Sequence, residues 1–113
     1  MAFDELLAER VRALLDGEAG ASERKMFGGL CFMLFGNMAL GIVGDELMVR
    51  VGPEGWSASL ELASAREMDF TGRSMKGMVF VSTDGIAEDE ELAAWVERGL
   101  SFAGSLPPKE RDG

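Results

Sequence analysis

The sequence predicts an α+β domain of two layers, in which helices cover one face of a largely antiparallel, five-stranded sheet. The first observation behind this prediction is a series of three apolar segments joined by two dipeptides, Gly36-Asn37 and Gly44-Asp45. Such dipeptides favour two-residue hairpin turns, so the series predicts a three-stranded meander. The second observation is that apolar residues recur at spacings of three and four near both ends of the chain, as they do in amphipathic helices.

The predicted elements follow in the order α-β-β-β-α-β-β-α. The loop 16–22 ends the first helix because it contains two glycines, and residues 23–27 lead into the sheet. Pro53 suits the first turn of the middle helix because that position needs no backbone donor. We expect one domain over residues 1–108 and a flexible tail at 109–113. The predicted bounds are helix 3–15, strands 30–35, 38–43 and 46–51, helix 53–63, strands 65–70 and 75–82, and helix 88–103.

The two predicted turns determine which side chains share a face of the meander. A turn at Gly36-Asn37 places Cys31 opposite Ile42, and a turn at Gly44-Asp45 places Ile42 opposite Leu47, so one face is apolar throughout. The second face is predicted to carry Leu30, Phe32, Leu34, Ala39, Gly41, Val43, Glu46, Met48 and Arg50. This second face is too apolar for an ordinary solvated surface. We therefore expect a protein partner or a second copy of the chain to cover part of it.

The composition argues against several functional classes. The net charge of −9 and the pI near 4.4 disfavour direct binding to nucleic acid or to anionic membranes. A single cysteine, Cys31, cannot form an internal disulfide, which fits a reducing cytoplasm. No apolar segment reaches the roughly 20 residues that span a bilayer, and the acidic start does not resemble a secretion signal. We expect a cytoplasmic protein that binds neither membrane nor nucleic acid directly.

Catalytic chemistry also finds few candidates in the sequence. The chain has no histidine and one cysteine, which removes a Ser-His-Asp arrangement and the usual zinc ligand sets. The glycine-containing segments match neither of the common phosphate-binding loops. Carboxylates at 88–91 are typical of a helix start, which we favour over a cation site. We therefore expect no catalytic residue, no metal and no cofactor.

Four basic residues fall within or beside the predicted sheet: Lys25, Arg50, Arg73 and Lys76. One hypothesis groups them as a small site for an anion or an acidic partner, since the glycines of the segment 71–77 let the backbone approach a ligand. The simpler interpretation, which we favour, is that Arg50 lays its stem over apolar neighbours and pairs with a carboxylate such as Asp69.

Several ordered segments resemble the N-terminal domain of the TfoX/Sxy family, bacterial regulators of competence genes. The segments are KMFGGLCFM from Lys25, the Gly-Asn-Met step from Gly36, LMVRVGPE from Leu47, MDFTGRSMKG from Met68 and LAAWVERGL in the last helix. The resemblance spans about residue 2 to residue 108 and implies a two-layer fold with the same element order. For full-length members it implies positive control of competence transcription with the cyclic-AMP receptor protein, and a further helical C-terminal domain. This chain ends at Gly113, so we expect a stand-alone version of the domain.

The leading hypothesis is a non-enzymatic regulatory module that binds another protein or forms a homodimer. Its predicted contact residues are Phe32, Met48 and Arg50 on the second face, with Lys25, Arg73, Lys76 and the loop 71–77 beside them. The alternative is a small-ligand or anion-binding domain, or a weak enzyme, built on the four basic residues. Direct DNA binding ranks third, because the chain has no dense basic stripe and no recognisable helix-turn-helix.

Overall fold

Three helices and six strands are formed by the described residues, which in this computed structural model are 3–26, 28–62, 64–70 and 73–108. For residues 26, 67–70 and 73–76 the backbone alone is described. The helices are α1 (Glu5–Leu15), α2 (Gly52–Leu60) and α3 (Asp89–Gly104). The strands are β1 (Ala21–Met26), β2 (Gly29–Leu34), β3 (Asn37–Val43), β4 (Glu46–Arg50), β5 (Ala65–Phe70) and β6 (Arg73–Val81).

The strands form one sheet in the order β1-β2-β3-β4-β6-β5, and every neighbouring pair is antiparallel. Side chains from all three helices pack against one face of this sheet. The predicted α+β class is therefore confirmed, with six strands in place of five. The additional strand is β1, in a segment predicted as a loop and a lead into the sheet. Its sequence, ASERKM, shows no apolar alternation because residues 22–25 are exposed at the edge of the sheet.

The main core lies between the helices and the sheet. Helix α1 is capped by Asp4, whose carboxylate accepts hydrogen bonds from the N–H groups of Leu6 and Leu7 at 2.9 and 3.2 Å. Helix α3 begins with a capping box between Glu88 and Glu91, as predicted for the acidic run. The core includes Leu7, Val11, Leu30, Phe32, Leu40, Ile42, Leu47, Val49, Val79, Val81, Leu92 and Trp95.

The first hairpin has a different turn from the predicted one. Its turn residues are Phe35 and Gly36, with φ of +50° and +82°, in place of Gly36-Asn37. The β2–β3 register then shifts between Met33 and Phe32, so that Phe32 pairs with Leu40. This moves every inward side chain of β2 to the outward position, and the reverse. The prediction that Phe32 lies on the second face is therefore wrong, since Phe32 faces the helices and is 1% exposed.

Burial and one local contact explain the shifted turn. With the turn at Phe35, three large apolar side chains of β2, Leu30, Phe32 and Leu34, enter the main core. The N–H of Phe35 donates to the carbonyl of Gly20 at 2.9 Å, and the Phe35 ring lies against Gly20. The transfer of three such side chains out of water outweighs the preference of Gly36-Asn37 for the turn positions.

The second hairpin follows the prediction. Val43 pairs with Glu46 across the turn at Gly44-Asp45, and Ile42 pairs with Leu47. Strand β4 and the part of β3 from Leu40 onward therefore present the predicted apolar side chains to the helices. The error extends from β2 into the start of β3, where Ala39, predicted on the second face, lies in the main core and Met38 packs on the opposite face.

The face of the sheet that points away from the helices is buried over its centre. A second cluster there consists of Cys31, Met48, Met78 and Phe80. Arg66 covers part of this cluster, because its guanidinium carbon lies 4.8 Å from the centroid of the Phe80 ring. The same guanidinium donates to both carboxylate oxygens of Glu46, at 2.6 and 2.7 Å. Met48 lies on this face as predicted, but it is 0% exposed and offers no contact surface.

A candidate protein-interaction groove

A groove separates α2 from α3 on the helical side of the molecule. Helix α2 packs mainly on β6, and α3 packs on β3 and β4. The space left between the two helices is about 800 Å³. This volume lies within the range of sites that hold a small ligand, and it also suits the anchoring side chains of a bound peptide.

Small residues form the α2 wall of the groove. Gly52, Gly55 and Ser59 recur at spacings of three and four, so they lie along one side of the helix. Gly52 has a φ of +84° and lies so close to the ring of Phe102 in α3 that an added Cβ would overlap ring carbons. Helix α2 is fixed to the sheet by Trp56, whose Nε1 donates to the carbonyl of Met78 at 3.1 Å. The groove stays open because the α2 residues that line it have small side chains and because Trp56 holds α2 against the sheet.

Phe102, which lines the groove, also contacts Arg50, which lies outside the lining. The guanidinium carbon of Arg50 lies 5.2 Å from the centroid of the Phe102 ring, which is within range of a cation–π interaction. Its Nη1 donates to the carbonyl of Met38 at 3.4 Å. The side chain of Asp69, the predicted partner of Arg50, lies outside the described residues. Arg50 is thus positioned by an aromatic ring and a carbonyl at the point where β4 runs into α2.

The rim of the groove carries more negative than positive charge. Glu54 and Glu97 are exposed on it, against one guanidinium, that of Arg98, which lies 4.6 Å from the centroid of the Trp95 ring. Neither α2 nor α3 has a basic residue in its last turn, so no such charge offsets the partial negative charge of the two helix C-termini. The apolar part of the lining, here called the floor, consists of Val51, Ala58, Leu62 and Phe102. The groove therefore combines an apolar floor with a weakly acidic rim.

The chain matches the family model described as the TfoX N-terminal domain over residues 13–103. The protein belongs to this family. The match runs from α1 into α3 and therefore includes both walls of the groove. It confirms the resemblance found in the sequence. No curated protein and no solved structure matches this chain.

The structure of this TfoX N-terminal domain does not bring the four predicted basic residues to one site. Lys25 is exposed in the edge strand β1, and two strands separate it from Arg50 in β4. Neighbouring strands lie about 4.8 Å apart, so this separation is about 14 Å across the sheet. The side chains of Arg73 and Lys76, and residues 71 and 72 of the predicted loop, lie outside the part of the chain that the structure describes.

Cys31 is a packing residue of the TfoX N-terminal domain. Its side chain is 1% exposed, and desolvation raises the pKa of its thiol above the ordinary value. This agrees with the predicted role as a small buried apolar residue, although Cys31 lies on the face away from the helices. Within the described ranges, no group of three or more acidic or cysteine residues is placed to hold a metal ion. No helix in those ranges is long and apolar enough to cross a membrane.

Sequence reasoning missed the groove. A signal was present, because four residues of the nine-residue helix α2 that line the groove are small: Gly52, Gly55, Ala58 and Ser59. Such a pattern predicts only that one surface of the helix lacks large side chains. The opposite wall comes from α3, which follows α2 by about 30 residues in the chain, so tertiary structure alone pairs the two.

Proposed function

We propose that this protein is a non-enzymatic regulatory module that acts by binding a segment of another protein in the groove between α2 and α3. The observation that carries the proposal is the open groove of about 800 Å³ with an apolar floor. Leu62 at its margin is 40% exposed, and the ring of Phe102 forms part of the lining. A fitting partner segment has one or two apolar side chains for this floor and a basic side chain for Glu54 or Glu97.

Membership of the TfoX N-terminal domain family supports a role in regulation. The resemblance in the sequence implies that this role concerns competence genes. A net charge of −9 favours contact with a protein over contact with DNA, because the overall field repels phosphates. We therefore propose that any effect on transcription passes through the protein partner bound in the groove.

A matched pair of substitutions tests this proposal. Ala58→Arg places a long side chain in the groove, whereas Ala94→Arg adds the same side chain at an exposed position of α3 outside it. The partner is first identified by cross-linking and mass spectrometry in cells that encode the chain, and binding is then measured by calorimetry with both proteins purified. We expect A94R to bind like the wild type and A58R to bind at least about tenfold more weakly, a change of about 1.4 kcal/mol. Equal affinities of A58R and the wild type would contradict the proposal.

A cellular measurement extends the same comparison to regulation. The chromosomal gene is replaced by each variant, and competence-gene transcripts are quantified under inducing conditions. We expect A58R to reproduce the transcript levels of a deletion strain and A94R to reproduce those of the wild type. Normal transcript levels in the deletion strain itself would separate the chain from competence while leaving the groove measurement intact.

The volume of the groove also supports a second candidate function, the binding of a small ligand. A thermal-shift screen with nucleotides and phosphorylated metabolites addresses it, because a ligand at 100 times its Kd adds about 2.7 kcal/mol to the free energy of unfolding. A stabilisation that A58R abolishes and A94R keeps would favour a ligand over a protein segment. The version of this hypothesis that uses all four basic residues is disfavoured by the distance between Lys25 and Arg50.

A further inference from the structure

Strand β1 is a second part of the molecule that is open to a partner, and it lies apart from the groove. It is an edge strand with β2 as its neighbour in the sheet. Its register with β2 runs without a shift from Ala21 opposite Leu34 to Met26 opposite Gly29. Edge strands are commonly protected by a proline, a bulge or a short length. This one has six residues and neither a proline nor a bulge.

Alternate residues of β1 direct their backbone groups away from the sheet. The N–H of Phe35 donates to the carbonyl of Gly20, which extends the β1–β2 register by one pair. Hydrogen-bonded pairs alternate along an antiparallel ladder, so the even-numbered residues of β1 bond to β2. The odd-numbered residues, including Glu23 and Lys25, therefore direct their N–H and C=O groups outward.

We propose that two copies of this chain pair through their β1 strands in antiparallel orientation, centred on Arg24. This register places Glu23 of each copy directly opposite Lys25 of the other, and it joins the two sheets into one. Both side chains are exposed on the helical face, and oppositely charged residues in facing positions stabilise an antiparallel pair. Arg12 already orients the Glu23 carboxylate, with its Nε 2.6 Å from Oε2. The proposal does not depend on the groove.

The charges of Glu23 and Lys25 favour this pairing register over the registers shifted by two residues. A shift of the pairing by two residues in one direction places Glu23 opposite Glu23, and in the other direction it places Lys25 opposite Lys25. Both arrangements set like charges in facing positions, which destabilises them. The Arg24-centred register makes two attractive pairs and one unfavourable one, Arg24 facing Arg24, whose long side chains are free to turn toward solvent on the other face.

A lysine on an edge strand also has an opposite role, which is to prevent pairing. The two roles make different predictions for Lys25→Glu. If Lys25 prevents pairing, its replacement does not weaken association, because one charged residue of the edge replaces another. If Lys25 pairs with Glu23 of the second copy, its replacement weakens association.

Sedimentation of the full chain from micromolar to millimolar concentration, at low and high salt, tests the proposal. We expect a reversible dimer of the wild type that weakens as salt rises. Glu23→Lys and Lys25→Glu are each expected to raise the dimer Kd at least about tenfold. An equimolar mixture of E23K and K25E, and the double variant with both changes, are expected to recover the dimer, because each again places a lysine opposite a glutamate.

Two further variants keep the test independent of folding and of net charge. Lys109→Glu makes the same change in net charge outside β1, so it is expected to leave the dimer intact. Lys25→Pro removes an outward N–H while leaving the hydrogen bonds to β2 in place, so it is expected to yield a monomer with the melting temperature of K25E. A wild type that stays monomeric at millimolar concentration, a dimer of K25E as strong as that of the wild type or stronger, or a mixture of E23K and K25E that stays monomeric would each overturn the proposal.

Discussion

The guanidinium of Arg12 and the carboxylate of Glu23 form two hydrogen bonds, from Nε to Oε2 at 2.6 Å and from Nη2 to Oε1 at 3.0 Å. The pair connects α1 to the edge strand β1. The hydrogen bonds from Arg12 lower the pKa of the Glu23 carboxyl below its ordinary value of 4.5, and the hydrogen bonds to Glu23 raise the pKa of Arg12. A helix that packs on the core is thus joined electrostatically to an exposed edge strand of the sheet.

We expect Glu23→Gln to reduce the free energy of unfolding at pH 7 by about 0.5 kcal/mol, because solvent screens a pair whose side chains are about a third exposed. A lowered pKa in the folded state stabilises the protein above the ordinary pKa of 4.5, and this stabilisation is lost as pH falls through the folded-state value. The stabilities of wild type and E23Q should therefore begin to converge as pH falls below 4.5 and should meet below the folded-state pKa of Glu23. Urea unfolding across this pH range measures the difference, with Glu18→Gln as the control. A difference that persists at low pH would contradict the assignment.

Two glycines at the same φ of +83°, Gly17 and Gly20, differ in their surroundings. An added Cβ at Gly17 meets nothing within 4 Å, whereas at Gly20 it would lie 2.5 Å from ring carbons of Phe35. We expect Gly17→Ala to cost about 1–2 kcal/mol from left-handed strain alone. Gly20→Ala should cost up to about 1 kcal/mol more, because it also displaces the half-exposed ring of Phe35.

A Phe35→Ala background is the control for this pair. Removal of the ring should bring the costs of Gly17→Ala and Gly20→Ala together, which chemical denaturation measures as a double-mutant cycle. If Gly20→Ala remained more costly than Gly17→Ala in the Phe35→Ala background, Phe35 would not set the conformation of the loop before β1.

The shifted hairpin predicts very different roles for Phe32 and Phe35. Phe32 is 1% exposed and Phe35 is 48% exposed. We expect Phe32→Ala to reduce the free energy of unfolding by about 3–5 kcal/mol, and Phe35→Ala by less than about 1 kcal/mol. Urea titration of both variants measures this. A larger loss for Phe35→Ala than for Phe32→Ala would favour the register with its turn at Gly36-Asn37, which places Phe35 inward.

Burial predicts a slow reaction of the Cys31 thiol. Its raised pKa reduces the thiolate fraction, and its 1% exposure excludes reagent, so alkylation of the native protein should be far slower than alkylation in denaturant. Met48→Ala opens a cavity beside the thiol and should accelerate the reaction, whereas Met33→Ala, at a half-buried position, should do so less. Mass spectrometry of timed samples follows the reaction. Fast alkylation of the wild type would show that this face opens readily.

Local sequence signals predicted most elements of the fold, because the formation of a helix or a hairpin depends largely on residues close together in the chain. The hairpin at Gly44-Asp45 and helix α3 fall where turn chemistry and apolar spacing place them. The prediction of five strands omitted β1, because the exposed residues of this segment show no apolar alternation. Its pairing with β2 makes it a strand.

The candidate contact surfaces were predicted less well. Phe32 was assigned to the wrong face because the turn residues are Phe35 and Gly36, where the prediction had Gly36 and Asn37. This one-residue difference reverses the face of every side chain of β2. Met48 was assigned to the correct face, but the Arg66–Glu46 pair and its strand neighbours bury that face. Neither effect is visible in the periodicity of a single strand.

The elements other than β1 and their order, the charge, the buried apolar residues of β4 and of β3 from Leu40 onward, and the likeness to one family follow from the sequence by itself, because they depend on composition and on spacing over a few neighbouring residues. The register of the first hairpin, the closed second face, the groove between α2 and α3 and the open edge at β1 were decided by tertiary structure. Each of these depends on residues far apart in the chain competing for the same buried space, and that competition has no signature in any one segment.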